Sequence, residues 1–356
     1  MNHRTHPLSG VYRRASRGQP RACSKLLGLA IRLFDLRIAG RLRLASVFLL
    51  VAIIAPPASL AGEPISPLPL KVDVNQAKAR LGKMLFQDKR LSADDSISCA
   101  SCHELSAAWG TDLRPVSTGI NGQLGTRNSP TVYNSVFNFT QFWDGRAESL
   151  ADQARGPVTN PIEMGMSSWE EAVKKLQSDS KYKQAFKSVY GGEMTPDRIV
   201  DAIAEFEKTL ITPNAPFDRY LRGETDAIDE AQKRGYELFK AYGCVSCHQG
   251  QNVGGNMFQK FGVLHDISLQ EGSLANDLGR YNLTNNEWDK RVFKVPSLRL
   301  AMMTPPYFHD GSVATIEEAV GIMIQFQLGR DVPKADKDAI IAFLGSLVGE
   351  LPKGVK

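Results

Sequence analysis

Apolar positions recur at intervals of three and four through much of this chain, the spacing of one helix face. In "TPDRIVDAIAEFEKTL", Ile199, Ile203, Phe206 and Leu210 share a face, with Thr195 placed to cap the helix and Pro196 to open it. "SSWEEAVKKL" predicts another helix, with Ser168 and Glu171 as a capping box. "TIEEAVGIMIQF" predicts a third, beginning at Thr315 with Glu318 in a similar box and carrying Ala319, Ile322, Met323 and Phe326 on one side. No long stretch alternates with the period of a strand, so a mostly α protein is expected. "TLITPNAPFDRYLRGE", interrupted by Pro213 and Pro216, reads as a linker between two helical modules, 62–213 and 214–356.

One apolar run has a different character. Leu44–Ala55, "LASVFLLVAIIA", is uncharged and is followed by Pro56 and Pro57. Before it, residues 1–43 hold ten Lys and Arg against the single acid Asp35, and after it come the small residues Ser59 and Ala61. This is the anatomy of a signal peptide, and cleavage after Ala61 with export to the periplasm is expected. The run is short beside the roughly 20 residues of a spanning helix, and an uncleaved membrane anchor is the alternative. The charge distribution also changes the reading of the whole. The chain's net +5 is concentrated before residue 44, so residues from 62 onward are net acidic, and nucleic acid is excluded as a partner. At 42% hydrophobic and 23% charged, the chain has the composition of a folded globular protein.

The two modules share a local grammar. "GKMLFQDKRLSADDSISCASCH" and "GYELFKAYGCVSCH" each place Gly-x-x-Leu-Phe ahead of Cys-x-x-Cys-His, which suggests a duplication. Cys99, Cys102 and His103 form the first motif, and Cys244, Cys247 and His248 the second, while Cys23 falls in the leader. Such pairs are compatible with disulfides, redox thiols or zinc. Redox pairs would lack their usual βαβ setting, and a four-thiol zinc site leaves both histidines unused. Haem c attachment uses every residue of the motif, since the thiols bond the porphyrin and the adjacent imidazole reaches iron. Two covalent haem c groups are therefore expected. By itself Met323 reads as a core methionine.

Two longer stretches add to this reading. "RNSPTVYNSVFNFTQFWDGRAESLADQARGPVTNPIEM" and "VFKVPSLRLAMMTPPYFHDGSVATIEEAVGIM" resemble the bacterial di-haem cytochrome c peroxidases, from about Pro67 to the C-terminus. The resemblance implies two cytochrome c-like helical domains, each with one haem c, that reduce hydrogen peroxide to water with electrons from a small cytochrome c or copper protein. It makes the N-terminal haem peroxidatic and the C-terminal haem an electron relay with Met323 as its second iron ligand. It places Trp143 between the haems and Glu163 and Gln153 at the peroxide site, Glu163 as the proton-transferring group. It implies a calcium ion between the domains with Asn128, Thr304 and Pro306 as ligands, His309 near the relay haem, and a homodimer. Related maturation enzymes that oxidise tryptophans in a partner protein share the scaffold but carry Tyr in place of this Met. A protein-modifying oxidase and a non-catalytic di-haem electron carrier are the alternatives. One departure stands out: many family peroxidases have an iron-blocking His in the loop "STGINGQLGTRNSP", where this chain has Asn121.

Overall fold

The computed structural model describes residues 62–267 and 276–354; the expected leader, its cleavage site and Cys23 lie outside them. Helices dominate. The first half contains α1 (Gln76–Phe86), α2 (Cys99–Cys102), α3 (Leu150–Thr159), α4 (Trp169–Gln177), α5 (Ser180–Tyr190) and α6 (Pro196–Glu207). The second half contains α7 (Pro216–Leu221), α8 (Glu230–Ala241), α9 (Tyr281–Thr284), α10 (Ile316–Ile322) and α11 (Lys334–Gly345). Among the described residues the only sheet is the antiparallel pair β1 (Phe258–Lys260) and β2 (Val292–Lys294), in register Gln259 with Phe293.

The repeated glycine explains how each half is built. A Cβ on Gly82 of α1 would lie 1.8 Å from the Ala202 carbonyl oxygen of α6 and 2.9 Å from Phe206 Cβ. A Cβ on Gly235 of α8 would lie 1.9 Å from the Ala339 carbonyl oxygen of α11 and 2.8 Å from Phe343 Cβ. In both halves a bare glycine lets the helix ahead of the Cys-x-x-Cys-His motif touch the backbone of a later helix, with Ala and a Phe four residues on as the receiving surface. Each crossing anchors a core. The first gathers Leu81, Leu85, Phe86, Ile199, Ile203, Phe206 and Leu210, and the second Phe217, Tyr236, Phe239, Ile340, Phe343 and Leu344.

The connection between the halves is buried, unlike an ordinary proline-interrupted tether. Thr212, Ala215, Phe217 and Asp218 are fully buried, and Pro216 opens α7. Asp218 pairs with Arg299 at 2.8 and 3.1 Å, both side chains wholly out of solvent, and also accepts from the Leu68 N–H. The chain ends cross over. Ile65 belongs to the second core, and the Tyr236 hydroxyl donates to Glu63. Val348 and Leu351 pack on the first core, while Lys83 Nζ donates to the Gly354 carbonyl at 2.7 Å.

Two helix starts differ in detail from their sequence patterns. Ser168 accepts from the Glu171 N–H, but the Glu171 carboxylate takes its bond from Ser167, so the box is not closed on Ser168. Thr315 caps through the Glu318 N–H at 3.2 Å. After α10 the backbone widens into a π-helical stretch, Met323–Leu328, that ends at Gly329.

Candidate functional site

The first motif sits on a single helical turn. Ser98 caps it, its N–H received by Ser101 Oγ at 3.0 Å, and Cys99 packs against the first core. His103 follows at the end of α2, and its Nδ1 lies 3.1 Å from the Gly110 carbonyl. A ring that donates from Nδ1 keeps its Nε2 lone pair for a metal, and burial lowers the His103 pKa, which keeps the ring neutral.

Glu163 is presented by a loop rather than a helix. Pro161 disfavours helical backbone at the residue before it, so α3 stops and Asn160 becomes its extended C-cap (φ −70°, ψ 120°). The loop is then fixed from outside. The Ile120 N–H donates to the Glu163 carbonyl at 2.8 Å, and a Cβ on Gly119 would lie 2.0 Å from the Ile162 carbonyl oxygen, so only glycine allows this approach. The Glu163 carboxyl accepts from Asn160 Nδ2 at 2.6 Å. Burial raises its pKa, opposed by the Arg146 charge and the Asn160 bond. Gln153 lies on α3, half-buried, and among the described residues its carboxamide has no hydrogen-bond partner. No hydrogen bond joins Gln153 to Glu163.

The second motif occupies Cys244–Ser246, with Cys247 and His248 following. His248 is half-buried beside the Val253 and Pro296 carbonyls, and desolvation lowers its pKa to about 4, leaving a neutral ring. Cys244, Cys247, His248 and Met323 line one cavity. The same cavity takes in Trp143, Asn128, Thr304 and Pro306, so the residues expected at the relay haem and at the calcium ion converge. Asn128 Nδ2 donates to the Arg114 and Pro115 carbonyls at 2.9 and 3.3 Å, which leaves Oδ1 available to a hard cation. Trp143 belongs to both halves: its indole N–H donates to the Asn128 carbonyl at 2.9 Å, and its carbonyl accepts from the Lys294 N–H of β2 at 2.8 Å.

Two residues of this seam, Arg127 and Lys294, carry no sequence signature. Arg127 bridges Asp144 of the first half and Asp277 of the second, at 2.6 Å to each. His309 stacks on Phe293 with centroids 4.3 Å apart, and its Nε2 is buried without a hydrogen-bond partner. Lys294 also lines the cavity, and among the described residues its side chain has neither hydrogen bond nor ion pair; burial lowers its pKa to about 8. A buried cation and an unused imidazole donor suit a ligand with anionic edges, and an aromatic cavity that ends in a neutral His suits a planar macrocycle. The thiols argue against the other readings. Burial pushes Cys99 up to about 12 and Cys244 up to about 11, the reverse of a redox-active cysteine. The two cysteine pairs belong to different cores, and among the described residues no three His, Cys, Asp or Glu side chains gather as a metal site.

A mostly helical fold, built twice around a Cys-x-x-Cys-His turn, is a di-haem class of architecture. The profile of the di-haem cytochrome c peroxidase family matches residues 76–226. Cytochrome c551 peroxidase of Nitrosomonas europaea is 47% identical over 82% of this chain and 86% of its own length. Cytochrome c peroxidase Ccp of Escherichia coli K12 is 50% identical over 81% of this chain, which spans 61% of that relative's length. Among solved structures, a MauG-like protein associated with microbial copper homeostasis superposes with a TM-score of 0.68 at 28% identity, over 82% of this chain and 94% of that one. The chain belongs to the di-haem cytochrome c peroxidase family, and haem is the cofactor class that membership carries.

Proposed function

We propose that the protein is a periplasmic cytochrome c peroxidase that reduces hydrogen peroxide to two waters, using two protons and two electrons from a small cytochrome c or copper protein. One haem c would be held by Cys99, Cys102 and His103, and the other by Cys244, Cys247, His248 and Met323, with the irons supplying the electron-transfer and O–O bond-breaking chemistry. Glu163 takes a proton from bound peroxide and returns it to the oxygen that departs as water. Gln153, with its amide unengaged, orients peroxide beside it. Trp143 spans the seam between the haem sites, and Asn128, Thr304 and Pro306 hold calcium there. The reading includes a homodimer.

The observation that carries the peroxidase reading over a protein-modifying oxidase is Met323 in the wall of the His248 cavity. A thioether ligand raises the potential of a haem and suits it to accept electrons from a high-potential donor. Steady-state oxidation of reduced cytochrome c by peroxide tests the proposal. The haem-loaded enzyme turns over rapidly, and Glu163→Gln lowers turnover by about 10²–10⁴ while both haem spectra persist. Unchanged turnover in E163Q removes Glu163 from the chemistry; slow turnover in the unmodified enzyme, with oxidation of a protein partner instead, transfers it to the oxidase class.

A further inference from the structure

Asn160 lies three residues before Glu163 and makes contacts that a loop-closing residue does not require. Its backbone N–H donates to the Gly156 carbonyl at 3.1 Å, ending α3. Its Oδ1 accepts from the Ile162 N–H at 3.2 Å, and its Nδ2 donates to Glu163 Oε1 at 2.6 Å. These partners fix the orientation of the amide: turned over, it would set oxygen against a carboxylate and NH₂ against an N–H. The donor therefore faces the carboxyl by construction.

We propose that Asn160 is a positioning residue of the peroxide site, occupying Glu163 Oε1 so that Oε2 is the oxygen left to exchange the proton with peroxide. This rests on the reading of Glu163 as the proton-transferring group. The same bond favours the ionised carboxylate that must be present when peroxide arrives. The other charged or titratable groups facing Glu163 are Arg146, from the loop before α3, and Cys99 and Cys102 of α2. The two thiols become uncharged thioethers once haem is attached, so Arg146 and Asn160 are the groups that oppose the effect of burial.

Asn160→Asp is nearly isosteric and keeps the acceptor for the Ile162 N–H, but places a carboxyl against a carboxyl. Asn160→Ala removes the donor without adding charge. Stopped-flow measurement of the peroxide reaction across pH reads the effect. The acid limb of the wild-type profile marks deprotonation of Glu163. It moves up by about one pH unit or more in N160D and by less in N160A, so at a fixed pH below the limb the N160D rate falls at least about tenfold and recovers at alkaline pH. In the resting protein, infrared titration of the Glu163 carboxyl band shifts the same way, without turnover. Profiles of N160A and N160D that coincide with wild type overturn the proposal. If E163Q abolishes the reaction while both Asn160 variants keep the wild-type limb, the positioning role alone fails; if E163Q reacts normally, the role of Glu163 falls and that of Asn160 with it.

Discussion

Met323 carries two legible facts and one that only the fold supplies. Its place on an apolar helix face follows from the spacing with Ala319, Ile322 and Phe326, and these three side chains are buried in one cluster against which Met323 packs. It lines the His248 cavity at the start of a π-helical turn, and no residue in "GIMIQF" announces that turn. Met323→His exchanges the thioether for an imidazole nitrogen, which keeps the proposed relay haem six-coordinate but lowers its potential, by an amount on the order of 0.2 V within the roughly 0.8 V that axial ligands span. Redox titration checks it, and an unaltered potential removes Met323 from the iron. Contiguous chemistry such as Cys-x-x-Cys-His is readable because its parts are neighbours in sequence. Lys294 and Arg127 act only through residues brought to them by the fold, and their one-dimensional context is that of any surface cation.

At the level of elements, the repeated Gly-x-x-Leu-Phe is readable as duplication, but its reason is the helix crossing. Gly82→Ala and Gly235→Ala each force a methyl into a carbonyl of the facing helix and cost about 1–3 kcal/mol, measured as a lowered melting temperature of the haem-loaded protein. A melting temperature equal to wild type in both variants contradicts the crossing as the anchor of each module. The loop 117–125 carries a second consequence. Asn121 is exposed, with left-handed backbone (φ 55°), and Met164 and Met166, the thioethers beside Glu163 in sequence, are buried in the first core. An amide is a poor iron ligand and a packed thioether is not free to swing in, so an open iron is expected at the proposed first haem. Electron paramagnetic resonance of the fully oxidised protein therefore shows one high-spin ferric signal, and peroxide reacts without an activation lag. Two low-spin signals, with a lag removed by prior reduction, reject this reading.

Across the whole molecule, the expected boundary near Pro213 marks a change in pattern that the fold binds together. The Leu68 N–H bond to buried Asp218, the Arg127 bridge and the crossed chain ends all fasten one half to the other. Polar sequence around two prolines looks like a tether because burial of Asp218 depends on Arg299, 81 positions later. Deleting residues 348–356 removes Val348 and Leu351 from the first core along with the carbonyl that receives Lys83. Hydrogen exchange then accelerates in α1 and α6, and a change confined to α11 contradicts the clasp.

The crossed ends also limit how such a protein can be recombined. A natural or engineered chimera joined at residues 213 and 214, the obvious seam between the repeats, would carry Ile65 from one parent into the other parent's second core, and Leu351 from the second parent onto the first parent's helices. Successful shuffling therefore requires two pairs of segments to travel together: the second repeat must bring its matching N-terminal strap, and the first must bring its matching tail. In inheritance, as in architecture, each half is completed by a segment from the far end of the chain.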